Sequence, residues 1–161
     1  MCFARTILNK MAKKLTIEYE EETSYYVIGI SSTLKDYRLT FFLNKLDEFN
    51  FKRAETFVFK IKNQDFEYSM YTYIDSFNMQ NYYLLSNKAN SVKLVPDFKH
   101  FDYMLILDGE FDDEFISKLV KRIKAVPEIM LASEVDYGSI SKVANLALSF
   151  EMHLEKIFKT K

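Results

Sequence analysis

One cysteine, Cys2, and two histidines, His100 and His153, are the only thiol and imidazole groups in the sequence. That excludes an intrachain disulfide and a cysteine-rich zinc site, and it fits a reducing compartment. Three glycines and two prolines in 161 residues leave little material for long loops or glycine-rich phosphate cradles. Tryptophan is absent. Neither sign of charge dominates: 22 Lys and Arg stand against 23 Asp and Glu, a formal charge of −1. A protein that lives on phosphate backbones needs a basic surplus, so the balance argues against a nucleic-acid partner. No apolar run reaches the roughly 20 residues of a membrane-crossing helix. Met1 to Lys10 also lacks the basic, apolar and small-residue order of a secretory signal. The expectation is a cytoplasmic protein with no membrane partner and no cofactor.

What is abundant is aromatic: 15 Phe and 11 Tyr within a 48% hydrophobic, 28% charged composition. This is the balance of a folded domain, and the length suits a single one with a sizeable core. Met11-Ala12-Lys13-Lys14 reads as an ordinary start. Residues 1–13 are therefore expected to form an N-terminal extension outside the fold, and residues 14–161 a single α+β domain.

Hydrophobic periodicity sets out the elements. Leu15, Ile17 and Tyr19 alternate with polar neighbours, as in a half-buried strand, while Tyr25–Ile30 is a continuous apolar run suited to a strand covered on both faces. Thr33 and Asp36 have capping-box spacing, and Leu39, Phe42, Leu43, Leu46 and Phe49 continue a helical stripe to Asn50. Strands are expected at Phe57–Ile61, Phe66–Ile74 and Tyr82–Leu85, joined by short turns at Asn63–Asp65 and Asp75–Asn78. The stretch from Asn87 to His100 reads as irregular. Tyr103–Leu107 reads as a buried strand, followed by a helix opened by Asp112 and Asp113 and stopped by Pro127, then a strand over Ile129–Val135. Val143, Ala147, Phe150, Leu154 and Ile157 favour a C-terminal helix at 141–159, with a strand start at Asn145–Phe150 as the alternative. The order gives two β-α-β units, 25–61 and 103–135, around a β-meander. A largely antiparallel twisted sheet with two main helices packed on one face, plus the C-terminal helix, satisfies it, and a ferredoxin-like arrangement with extra strands is one version.

The run Lys124-Ala125-Val126-Pro127-Glu128, followed by Glu134-Val135-Asp136-Tyr137, resembles the signature of the bacterial IPExxVDY family. Ile28-Gly29-Ile30-Ser31-Ser32 and Leu34–Leu39 are similar to that family's first strand and helix, so the likeness covers most of residues 14–137. Val126 stands where the family name has isoleucine, and the gap before Val135 is longer than the name suggests. The resemblance implies a cytoplasmic protein of unknown function and brings no catalytic residues with it.

Two groups of residues are candidates for function. Ser31, Ser32, Thr33 and Lys35 precede a helix, with Arg38 one turn on; hydroxyls, cations and unpaired N–H groups there would suit an anion such as a phosphometabolite. The simpler reading is a helix cap beside a solvated basic pair. Tyr71, Tyr73 and Tyr82 are expected on the sheet face opposite the helices, where a protein partner or a second copy would cover them. The acidic group Asp108, Glu110, Asp112, Asp113 and Glu114, with Glu134 and Asp136, is what a helix dipole selects and lacks the spacing of a calcium loop, so no metal is expected. Lys118, Lys121, Arg122 and Lys124 read as a solvated helix face. Neither histidine has a Ser, Cys or His neighbour at a motif spacing. No catalytic residue is assigned. The leading expectation is a non-enzymatic interaction module that binds a protein partner or itself; the alternative is a small enzyme or anion sensor centred on residues 31–38, its ligand unknown.

Overall fold

The computed structural model describes residues 25–46 and 49–159. The strand expected at Lys14–Tyr19 and the extension 1–13 lie outside the described residues. In chain order the elements are β1 (Tyr25–Ser32), α1 (Asp36–Leu43), β2 (Lys52–Arg53), β3 (Phe57–Ile61), β4 (Gln64–Tyr68), β5 (Met70–Asp75), β6 (Gln80–Ser86), β7 (Lys88–Ala89) and β8 (Val92–Lys93). A short 3-10 turn at Pro96–Phe98 is followed by β9 (Tyr103–Asp108), α2 (Asp113–Lys124), β10 (Ile129–Val135), α3 (Gly138–Ser141) and α4 (Leu146–Lys159).

Among the described residues six strands form one sheet in the order β10-β1-β9-β6-β5-β2, every neighbouring pair antiparallel. The segment β10-β1-β9-β6, with α1 following β1 and α2 joining β9 to β10, has the strand order and alternation of a ferredoxin-like core. β5 and β2 extend that core beyond β6. Two small hairpins, β3–β4 and β7–β8, stand apart from the main sheet.

The central strands are apolar without interruption because both faces of the sheet are covered. Ile28, Ile30, Leu105, Leu107, Tyr82 and Leu84 pack with Leu39 and Leu43 of α1 and Ile116, Leu119 and Ile123 of α2. Their alternates Val27, Met104, Ile106, Tyr83 and Leu85 pack with Phe57 and Phe59 of β3, Tyr68, Leu94, Val95 and Phe98, and with Phe150, Leu154 and Ile157 of α4. The two main helices share one face, as periodicity predicts. The C-terminal helix and the β3–β4 hairpin close the other.

Several boundaries differ from the sequence expectation. The N-cap of α1 is Lys35, with no side-chain cap bond, rather than Thr33, and α1 ends at Leu43 rather than near Asn50. Asn44 stops it: its Oδ1 accepts from Phe51 N (2.7 Å) and its Nδ2 donates to Phe51 O (3.2 Å), turning the chain so that Phe49 and Phe51 enter the core. The single strand expected at Phe66–Ile74 is divided at Ser69, β4 pairing with β3 while β5 joins the main sheet. The turn between β3 and β4 is Lys62–Asn63, both at positive φ. The irregular stretch after β6 contains the β7–β8 hairpin and is organised around buried Asn87. The C-terminal helix is two helices, α3 and α4, separated before Asn145 at φ 67°, and no strand begins there.

Candidate functional site

Ser32 ends β1 on its helix-covered side and is buried. Its N–H donates to Asp102 Oδ2 (2.9 Å), and its hydroxyl donates to Glu128 O (2.8 Å) and accepts from Leu34 N (3.1 Å). Ser32, Thr33 and Lys35 line a cavity of about 600 Å³ together with Ser86, Lys88, Asp102, Tyr103 and Met130. Three of the five residues predicted to bind an anion thus meet at one hollow. The other two do not join them. Ser31 sits in register with Leu131, on the opposite phase of β1 from Ile30 and Ser32. Arg38 turns along α1, its guanidinium 5.7 Å from the centre of the Phe42 ring.

The electrostatics of this hollow are mixed. Lys35 and Lys88 face Asp102, which also lies 3.6 Å from Lys93 Nζ. Asp36 occupies the first turn of α1, accepts from Tyr37 N (2.8 Å) and pairs with Arg53 (3.2 Å). Tyr103 donates to Leu34 O (2.6 Å), and burial, with Asp36 and Asp102 nearby, pushes its phenol well above the usual tyrosine range. Two carboxylates and a committed serine hydroxyl therefore oppose an anion at the place where two lysines invite one.

The tyrosines are placed differently from the expectation. Tyr71 and Tyr82 are 7% and 3% exposed and, with half-buried Tyr73, face α1 and α2 rather than the opposite side of the sheet. The physical reason is register: Tyr71 pairs with Leu84 and Tyr73 with Tyr82 on the phase that faces α1 and α2, and Phe49 then covers Tyr82 (5.1 Å between ring centres) and Tyr73 (6.0 Å). Tyr71 accepts from the Arg53 guanidinium (3.2 Å). These rings build the core and offer no open aromatic face.

Exposed apolar side chains stand elsewhere, one group of them where β3–β4 meets the start of α4. A cavity of about 650 Å³ is lined there by Val58, Phe59, Lys60, Lys62, Asn63, Asp65, Ala144, Asn145, Leu148 and Ser149. Val58 and Leu148 remain 50% and 63% exposed at its wall, and Met152 continues the outward side of α4 one turn further. The two walls are joined by direct contacts. Phe57 packs edge-on against Phe150 (5.9 Å) and His153 (5.3 Å), His153 Nε2 lies 2.9 Å from Glu55 O, and Lys156 Nζ donates to Glu55 Oε1 (2.9 Å). Charges of both signs surround this cavity. Lys60 and Lys62 border it, the first turn of α4 carries no acidic residue, and the helix N-terminus adds its own partial positive charge. Asp65 lies 3.2 Å from Lys60, and exposed Glu67 stands opposite Val58 in the β3–β4 register.

Sequence reasoning did not find this surface because its two sides are about 90 residues apart in the chain. A weaker signal was present. Val58 is apolar on the phase of β3 occupied by Thr56 and Lys60, and Leu148 and Met152 fall off the stripe through Phe150, Leu154 and Ile157 that α4 buries.

Among the described residues no three His, Cys, Asp or Glu side chains converge as a metal site would require, and no helix is long and apolar enough to cross a membrane. Comparison of the chain with known protein families, with curated proteins and with solved structures finds no match.

Proposed function

We propose that this chain is a non-enzymatic interaction module that binds a protein surface through the cavity between β3–β4 and the start of α4. The observation that carries this reading is a hollow between two distant parts of the chain with leucine and valine left exposed at its wall. Covering a side chain of that size stabilises a complex by about 1.5–3 kcal/mol, and apolar anchors set in a charged rim are how protein interfaces are built. The chemistry fits a segment that carries an aromatic or aliphatic residue flanked by charges of both signs. A displayed peptide library, selected on the intact chain and counter-selected on Leu148→Glu, is expected to return such sequences. Recovery of no Leu148-dependent binder would count against the reading.

One observation favours a second reading, an anion sensor or small enzyme: Ser32, Thr33 and Lys35 share a hollow with Lys88. It requires that inorganic phosphate or a phosphorylated metabolite raise the melting temperature of the wild type but not of Lys35→Ala. Kinship with the IPExxVDY family, carried by Pro127-Glu128 and Val135-Asp136-Tyr137, belongs to the same proposal and leaves the choice between readings open.

A further inference from the structure

The main sheet ends at β10, so among the described residues one long side of that strand has no partner strand. The phase of the ladder shows which groups are left over. Asn87 N donates to Asp102 O and Asp102 N to Ile30 O, which identifies Ile28 and Ile30 as the β1 residues that bond β9. Gly29 and Ser31 therefore bond Ser133 and Leu131, and the N–H and C=O groups of Ala132 and Glu134 point away from the sheet. Ser133 Oγ donates to Glu134 O (3.2 Å), which leaves that oxygen a second lone pair. Sheet edges are commonly blunted by Pro, Lys or a bulge. Ile129–Val135 contains neither Pro nor Lys, and its bulge lies at its start, where Met130 leaves the ladder. From Leu131 to Val135 the edge is regular, with Leu131 38% exposed and Val135 half-buried on one face.

On the other face α2 lies along this edge. Ile116, Leu119 and Ile123 pack with Ile129 and Ala132, while Phe115 stacks on Phe111, which meets Tyr82 of β6. The opposite flank of the helix, Asp113, Ser117, Val120 and Lys124, therefore looks out past β10. Its two charges stand at its two ends, and among the described residues neither has an ion-pair partner. Glu114 and Lys118, on the solvent side, pair with each other (2.9 Å). Helix and strand are each roughly 20 Å long and run in opposite directions, so their midpoints coincide.

We infer that the open edge of β10 is covered by β10 of a second copy of this chain, the two strands antiparallel about a two-fold axis near Ser133. The inference goes beyond the reading of the cavity and does not rest on it. A two-fold contact needs a surface complementary to itself, and this edge has that property in three respects. Ala132 of each copy stands opposite Glu134 of the other, and each pair exchanges both backbone bonds. Leu131 falls beside Val135 of the other copy on the face away from α2. The acidic start of each α2 flank faces the basic end of the other, Asp113 to Lys124. Opposing charges are also present. Glu128 adds a carboxylate at the basic end, Asp136 holds its own on Gly138 N (3.0 Å), and the two copies of Glu134 lie two residues apart across the axis. The last of these repulsions exists only in this dimer and so reports on its geometry.

Sedimentation velocity on the full chain is expected to show a mass that rises with concentration to that of a dimer and stops there, because a two-fold contact closes. Glu134→Gln is expected to tighten the dimer about threefold by removing the like-charge approach. Lys124→Glu is expected to loosen it about tenfold, and Lys124→Glu combined with Asp113→Lys to restore it, with circular dichroism unchanged throughout. Hydrogen exchange needs no variant: the amides of Ala132 and Glu134 are expected to exchange fast in the dilute monomer and slowly in the dimer. Slow exchange of both in a monomer overturns the inference, because the edge is then closed within one chain. A wild type that stays monomeric at every concentration, or a dimer in which these amides remain fast, overturns it as well. None of these outcomes bears on peptide binding at the cavity.

Discussion

Asn87 has no exposed surface, and all of its polar groups are paired. Its N–H donates to Asp102 O (2.8 Å), its C=O accepts from Leu94 N (2.9 Å), its Oδ1 accepts from Val95 N (2.8 Å), and its Nδ2 donates to Phe98 O and Phe101 O (both 3.0 Å). One side chain thereby replaces the secondary structure that the stretch after β6 largely lacks. Asn87→Ala leaves the buried Val95 N–H without its acceptor and takes one of two donors from Phe98 O and from Phe101 O, and urea titration is expected to show a loss of about 3 kcal/mol. Gly29 acts by absence: a Cβ there would lie 2.6 Å from Phe101 Cγ. Gly29→Ala is expected to cost about 2–3 kcal/mol by overpacking. The double variant with Phe101→Ala should cost less than the sum of the two single changes, because the clash disappears with the ring. Additive costs would show that the ring does not determine the glycine.

At the scale of elements, legibility followed locality. β1, β9, β10 and α2 lie where periodicity placed them, since an apolar run or a stripe opened by Asp112 is written in neighbouring residues; Asp112 Oδ1 indeed accepts from Phe115 N (2.7 Å). Removing that cap by Asp112→Ala is expected to cost about 1 kcal/mol. The end of α1 was not legible, because Asn44 acts on Phe51 and nothing around Asn44 distinguishes it from any polar helix residue. The division at Ser69 was hidden too: the period-2 pattern runs through it, with Phe66, Tyr68 and Met70 on one face, so only the change of pairing partner reveals it. The Lys62–Asn63 turn has both residues left-handed, a conformation suited to Asn-Gly. Lys62→Asn with Asn63→Gly is expected to stabilise the hairpin, by about 1 kcal/mol in urea titration.

Across the whole molecule, the layers decide what can be a site. The candidate tyrosines were readable as strand residues, but whether a strand's second face is open depends on which distant segment covers it, and α4 and β3–β4 cover one face while Phe49 and Phe51 reach the other. Of the anion candidates, the sequence placed Ser32, Thr33 and Lys35 together because they adjoin in the chain; the rotation of Arg38 and the arrival of Asp102 are tertiary events. Packing on this scale also sets the response to alkali. Burial, above all, pushes Tyr25, Tyr83 and Tyr103 well up and Tyr137 to about 12, against an ordinary value of 10.0. The folded state therefore holds protons that the unfolded chain has released. The stability these groups contribute is complete below pH 10 and lost as pH rises through their folded values. The urea midpoint is expected to fall between neutral pH and about pH 11, together with the rise of tyrosinate absorbance; a midpoint that holds while tyrosinate appears would contradict the buried placement.

Whether the cavity between β3–β4 and α4 binds protein is decided by amide chemical shifts recorded as a peptide from the Leu148-dependent selection is titrated into the intact chain. Shifts are expected at Val58–Asn63 and at Ala144–Ser149, with α1 and α2 unmoved. Shifts confined to other surfaces, or none at any concentration, would contradict the reading.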